Sequence, residues 1–293
     1  MQKMKWKQAW AINVMYIPAV ILFLVFILSP FIRGIGISFT DWNGYSQQKN
    51  FVGLRNYKTF FTDKNMKTVF INTLLFGGLS TLFQNILGLG YALLMDLKFK
   101  GRGLVRTIIY LPVIVSPLIM GYILYYVFQY NNGALNEVLS WFGVAQVDWL
   151  AQWNTAVPII IIVNTLQFVG PAMIIYLTGL QSISSNYKEA AQLDGATAFQ
   201  NFRYITLPLL MPSITINVIY NLIGGLKLFD IIMSLTKGGP GYMTSSMSTF
   251  MYTVYSGRQD AGYATTVGNM MFIMIALIGL VLLTQLRKKE VEL

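Results

Sequence analysis

The chain has neither cysteine nor histidine in 293 residues. Without thiols there is no disulfide, no thiolate nucleophile and no cysteine-held metal. Without imidazole, the commonest general base and the commonest metal ligand are missing. Charge is scarce as well. Only 11% of the residues are Asp, Glu, Lys or Arg, against about 25% in an ordinary soluble domain. The eleven carboxylates are scattered from Asp41 to Glu292, with no pair in a catalytic or metal-binding spacing. The phosphate-binding pattern G-x-x-x-x-G-K-S/T is absent, so this chain is not expected to hydrolyse ATP. These gaps argue against a zinc intramembrane protease or a histidine-dependent transferase. No catalytic residue, metal site or bound cofactor is expected.

What is there is apolar: 55% of residues are hydrophobic and the mean hydropathy is +0.56. A bilayer core takes about 20 apolar residues per helix. Six stretches qualify, at about 11–32, 69–95, 108–128, 156–180, 207–228 and 263–286. The first follows Lys3, Lys5 and Lys7, yet its apolar run is too long for a signal peptide and no small-residue cleavage site follows. The expected class is therefore an all-α membrane protein of six transmembrane helices. Residues 1–10 form a cytoplasmic start, 181–206 a cytoplasmic loop and 287–293 a cytoplasmic basic tail. With both termini inside, 12 Lys and Arg fall on the inner segments and 8 on the outer ones, and Lys227 lies in a span. The inner segments are together the shorter, so cationic density supports the N-in, C-in orientation. The net charge of +10 then belongs to the inner membrane surface rather than to nucleic acid.

The most informative segment is a polar island between two apolar runs, from Glu189 to Pro212. Asn186 and Glu189 have the spacing of a capping box. Ala190, Ala191 and Leu193 continue a helix. Asp194-Gly195 signals a turn in which Gly195 takes a positive φ, and a second helical piece starts at Ala196. Alanines at 190 and 191 let another backbone come close, and Glu189 offers a carboxylate to a basic partner or to its own helix cap. The plain alternative is an ordinary amphipathic loop. Three residues, Glu-Ala-Ala, would not decide between the two. Asp194, Gly195, Ala196, Phe202, Ile205, Leu207, Pro208 and Pro212 at their spacing do.

The island resembles the loop by which permeases of ABC importers meet their ATPase subunits. Other segments extend the likeness over nearly the whole chain: Ser38 to Asn43, Phe51 to Tyr57, Gly101-Arg102-Gly103, and Leu235 to Pro240. They are similar to carbohydrate-uptake permeases, in particular the sugar-contacting permease of the maltose transporter in a compact six-span form. The resemblance implies the type I importer permease fold and a heterodimer with a second, homologous permease. It also implies two cytoplasmic ATPase subunits that bind ATP and Mg, an extracellular solute-binding protein, and a sugar substrate.

Uncharged sugars are held by stacking and by amide and hydroxyl hydrogen bonds. Polar groups at membrane depth are expensive and tend to face a cavity or a neighbouring helix. Asn164 and Gln167 on the fourth span, and Tyr220, Asn221, Gly224, Lys227 and Asp230 on and after the fifth, form the expected substrate path. Interhelical hydrogen bonding is the competing role. Lys227 and Asp230, three residues apart, are expected to share a helix face and pair; the alternative is that Lys227 meets an anionic group such as a uronate or a phosphate. A glycerol-phosphate or polyol permease of the same architecture is a second reading. A self-contained secondary transporter is a third, disfavoured by the lack of a clear inverted repeat, by the few intramembrane carboxylates for ion coupling and by a docking loop with no other evident use. A membrane enzyme is disfavoured by the missing residue types.

Overall fold

A computed structural model describes residue 14 and residues 16–290. The basic start with Lys3, Lys5 and Lys7, the opening of the first expected span, and Glu292 lie outside the described residues. The described chain is helical, with one isolated antiparallel bridge, Thr40 to Phe51. Its helices are α1 (Tyr16–Ile37), α2 (Arg55–Thr62), α3 (Met66–Asp96), α4 (Arg102–Ile114), α5 (Pro117–Phe128), α6 (Ala134–Ser140), α7 (Trp153–Ser182), α8 (Ser185–Leu193), α9 (Ala198–Leu209), α10 (Met211–Leu226), α11 (Asp230–Leu235), α12 (Met247–Arg258) and α13 (Ala261–Arg287).

Four of these, α1, α3, α7 and α13, are long and apolar enough to cross a membrane alone. For α3, α7 and α13 the helix starts two or three residues before the expected span and ends one or two after it. The other two stretches are not single helices. α4 and α5 meet at a bend of 98°, and α9 and α10 at 67°, so six spans are reached when each bent pair counts as one. Proline causes the first break. Ser116 precedes Pro117 and takes ψ 135, because proline pushes its predecessor out of the helical region. At the second, Pro212 brings no N–H to the helical ladder.

The chain divides into two compact units, Met1–Asp63 with Met251–Met270, and Lys64–Phe250 with Met271–Leu293. In the first, buried Asn56 donates its side-chain amide to the carbonyls of Ser38 at 2.9 Å and Thr40 at 2.8 Å. Thr266 Oγ1 donates to the same Ser38 carbonyl at 3.2 Å. Asp63 lies 3.7 Å from Arg258 and accepts from the Tyr263 hydroxyl at 3.2 Å. In the second unit α3 and α7 form the central pair. A methyl group on Gly88 would lie 2.7 Å from Ala172 Cβ, so a glycine is what lets these two backbones approach. Phe76, Ile160, Ile231 and Ile232 close one end of this core, and Met95, Met173, Tyr176 and Leu210 the other.

Candidate functional site

Two places gather the chemistry-bearing residues, both in the second unit. One is the polar island around Glu189. Helix α8 is capped by Ser184, whose Oγ accepts from the Asn186 N–H at 3.4 Å. The cap is thus two residues earlier than expected: Asn186 sits inside the helix, and Ser184 takes the role because its extended ψ of 135 aims its hydroxyl at the first free N–H groups. Glu189 is exposed and makes no capping box. The helix ends as the sequence predicts. Gly195 takes φ +79, and the Ala196 N–H bonds the Ala191 carbonyl at 2.9 Å, a left-handed closure suited to glycine. The second piece begins at Ala198 rather than Ala196, because Thr197 and Gln200 form a reciprocal capping box with bonds of 3.3 and 2.8 Å. Of the expected coupling residues, Ala191 faces inward at 7% exposure. Glu189, Ala190, Asp194 and Gly195 are exposed and Ala196 half-buried. Large apolar side chains beside them are also bare: Leu193 is 90% exposed, and Phe199 and Tyr204 are 73% each.

The other place is a cavity of about 340 Å³ between α3, α5, α7 and the segment from α10 to α11. Six of the seven expected path residues line it: Asn164, Tyr220, Asn221, Gly224, Lys227 and Asp230. Neither amide atom of buried Asn221 has a hydrogen-bond partner among the described residues. Gly224 and Gly225 show how the wall is built. A methyl group on Gly225 would come within 2.9 Å of the Gly77 and Phe76 backbones, whereas one on Gly224 would meet nothing within 4 Å. The first lets α10 cross α3; the second leaves the cavity open.

Two expectations are corrected here. Gln167 does not line the cavity. It is buried, and its Nε2 donates to the Val115 carbonyl at 3.0 Å, satisfying a backbone group freed where α4 breaks from α5. Lys227 and Asp230 do not form an ion pair among the described residues. Helix α10 ends at Leu226 and α11 begins at Asp230, so the three-residue spacing that implied one helix face spans a break.

Gln84 was missed. It lines the cavity, its Nε2 donates to the Asn164 carbonyl at 3.0 Å, and its Oε1 has no partner among the described residues. A signal was present: Thr73, Gly77, Ser80, Thr81, Gln84 and Gly88 recur at helical spacing and are all buried.

The family model described as the binding-protein-dependent transport system inner membrane component matches residues 84–289. A probable permease of a transport system for starch degradation products, AmyD of Thermoanaerobacterium thermosulfurigenes, is 33% identical over 278 residues, 94% of each chain. The trehalose/maltose permease MalF of Thermococcus litoralis is 33% identical over 93% of this chain and 92% of its own. Among solved structures, a chain of a bacterial ABC transporter that imports the acidic polysaccharide alginate superposes with a TM-score of 0.83. It is 29% identical, with 96% of each chain covered. The chain therefore belongs to the family of binding-protein-dependent transport system inner membrane components.

Proposed function

We propose that this chain is the translocating permease of an ATP-driven importer of sugars or oligosaccharides. It pairs with a second, homologous permease in the cell membrane. Two cytoplasmic ATPase subunits dock on its island, and an extracellular binding protein delivers the sugar. The observation that supports this most is one cavity lined by amides, a tyrosine and charges that form no ion pair among the described residues, in the same unit as an exposed, doubly capped helix-turn-helix. The cavity is large enough for a small ligand, since such sites run from about 300 Å³ upwards. Its polar groups without protein partners are donors and acceptors left for a ligand or water.

Energy enters through the island. The chain itself has no nucleotide-binding loop, so ATP and Mg belong to the partner subunits and hydrolysis happens there. ATP binding draws the ATPases together and displaces α8. That shift favours the outward-open arrangement of the spans, a change of population between two states. Glu189, Asp194 and exposed Leu193, Phe199 and Tyr204 form the docking contact. The test is co-purification from the native host in mild detergent. The wild-type chain should bring a second permease and an ATPase; Glu189→Lys should lose the ATPase and keep the permease. A chain that purifies alone and still transports in vesicles is a secondary carrier.

A second reading, uptake of glycerol phosphate or another anionic solute, is favoured by one observation. Lys227 lines the cavity without an ion pair to Asp230. Lys227→Met should abolish uptake of an anionic solute and spare a neutral one. Equal loss of both assigns Lys227 to structure.

A further inference from the structure

Where α3 gives way to α4 the chain is strongly cationic. Between positions 96 and 106 it carries Lys98, Lys100, Arg102 and Arg106 against one carboxylate, Asp96. Lys98 and Lys100 are exposed in the turn between the helices, and Arg102 and Arg106 are half-buried on the first turns of α4. Arg102, Arg106 and Ile109 lie at helical spacing and share one face. Ile109 packs against the core of Met95, Met173 and Tyr176. A methyl group on Gly170 of α7 would lie 2.9 Å from the Tyr110 Cα. The stripe that seats α4 on the bundle is therefore cationic at its start and apolar beyond it.

Arg106 stands out. Its Nε is buried without a hydrogen-bond partner, and neither Arg102 nor Arg106 forms an ion pair, among the described residues. A bare buried donor is costly, more so on a charged group, and charges at membrane depth are almost always paired. A guanidinium matches phosphate or carboxylate through two parallel N–H bonds. Beside the arginines α4 is open and apolar. Tyr110 and Ile114 continue the row of Arg106 at intervals of four, and both are exposed. Gly103, in the neighbouring row, has nothing within 4 Å of where a side chain would begin.

We infer that the start of α4 binds one anionic phospholipid, with its phosphate on Arg102 and Arg106 and an acyl chain along Tyr110 and Ile114. Lys98 and Lys100 add attraction from the turn. The arrangement fits a lipid better than a soluble anion, because the cations and the bare apolar row are continuous along one edge of the helix. In the N-in orientation this end of α4 meets the leaflet whose anionic lipids attract Lys and Arg. The lipid supplies the partner that Arg106 lacks and fixes the start of α4, and with it the seat of α4 on α7 at Gly170. The site needs a bilayer and no particular solute, so it stands apart from the sugar reading.

The test is native mass spectrometry of the complex as it purifies from the native host. Dioleoyl phosphatidylglycerol is titrated in, with dioleoyl phosphatidylcholine as the neutral control. Wild type should take up one phosphatidylglycerol before any phosphatidylcholine. Arg102→Gln with Arg106→Gln should weaken that first binding about thirtyfold, the effect of two cations lost at an anionic surface. Arg102→Gln alone should weaken it about fivefold, which keeps the test open where the double variant does not fold. Arg106→Lys should recover part of the loss. Lys288→Gln with Lys289→Gln removes the same charge from the end of the chain and should leave the first binding unchanged. Equal weakening in both double variants marks general attraction to a basic surface and overturns the site. Unchanged lipid binding with loss of a co-purifying subunit assigns the arginines to a carboxylate of that subunit, and inorganic phosphate that displaces the lipid makes the site one for a soluble anion. Either overturns the lipid, and none of these outcomes touches the sugar reading.

Discussion

The polar island and the central cavity are built by opposite means. In the island every structural decision is local: Ser184 caps α8, Gly195 ends it, and Thr197 with Gln200 starts α9, all within 17 residues of chain. In the cavity each decision is made between elements distant in sequence. Gln84 reaches Asn164, 80 positions away, and Gly225 meets Gly77. A surface that only has to be presented can be specified by capping residues. A polar hole inside a lipid-facing bundle needs several helices to share the cost of its exposed amides.

That contrast can be broken most severely at the neighbouring glycines. Gly225→Leu forces a side chain into the backbones of Gly77 and Phe76, so α10 no longer crosses α3. Overpacking costs about 1–3 kcal/mol even in tolerant cores, and contact with backbone leaves little room to relax. We expect little folded protein in a detergent gel-filtration profile. Gly224→Leu, one residue away, meets open space and should elute as wild type while uptake is lost, because its side chain occupies the cavity. If both variants elute alike, the two glycines do not have the separate roles assigned to them.

A smaller effect separates substrate contact from helix gluing at Asn221. Its amide is buried with no protein partner among the described residues. An interhelical strut replaced by Leu would lower thermal stability, whereas an unpaired amide replaced by Leu removes a desolvation cost of about 1–3 kcal/mol. Asn221→Leu should therefore leave the melting temperature unchanged or raised while uptake falls about tenfold, the size of one lost hydrogen bond. A lowered melting temperature would show that Asn221 holds helices together.

Legibility in the sequence follows the same division. The helices and the turn at Gly195 could be read because apolar run length and glycine conformation are properties of short segments. So could the polar positions of α10, which stand out against Ile and Leu neighbours. The reading failed where two segments had to be combined. Lys227 and Asp230 have a pairing interval only if one helix continues through both, and it stops at Leu226. Gln167 has the same amide as Asn164 and lies three positions on, yet its partner is a carbonyl released by the α4–α5 break, which no local pattern announces. Gln84 lay in a stripe of small and polar residues that only the crossing of α3 with α7 turns into a cavity wall. The cap at Ser184 was within reach, since serine two residues upstream of Asn186 is an equally good cap former.

The mildest perturbation tests whether the island acts as a rigid transmitter or only as a surface. Thr197→Ala removes the hydroxyl that accepts the Gln200 N–H and touches none of the exposed residues proposed to dock. Losing such a cap costs about 1 kcal/mol, and the loss stays local because α9 is exposed at its start. The melting temperature of the whole bundle should not move. The ATPase should still co-purify, since Glu189, Leu193 and Asp194 on the α8 side are unchanged and Phe199 and Tyr204 keep their side chains. ATP hydrolysis should continue while the sugar moved per ATP falls several-fold, because a frayed second helix no longer hands the displacement of α8 on to α10. Tight coupling retained in Thr197→Ala would mean that contact at α8 drives the spans, and that the second helix adds docking surface through Phe199 and Tyr204 without transmitting the displacement.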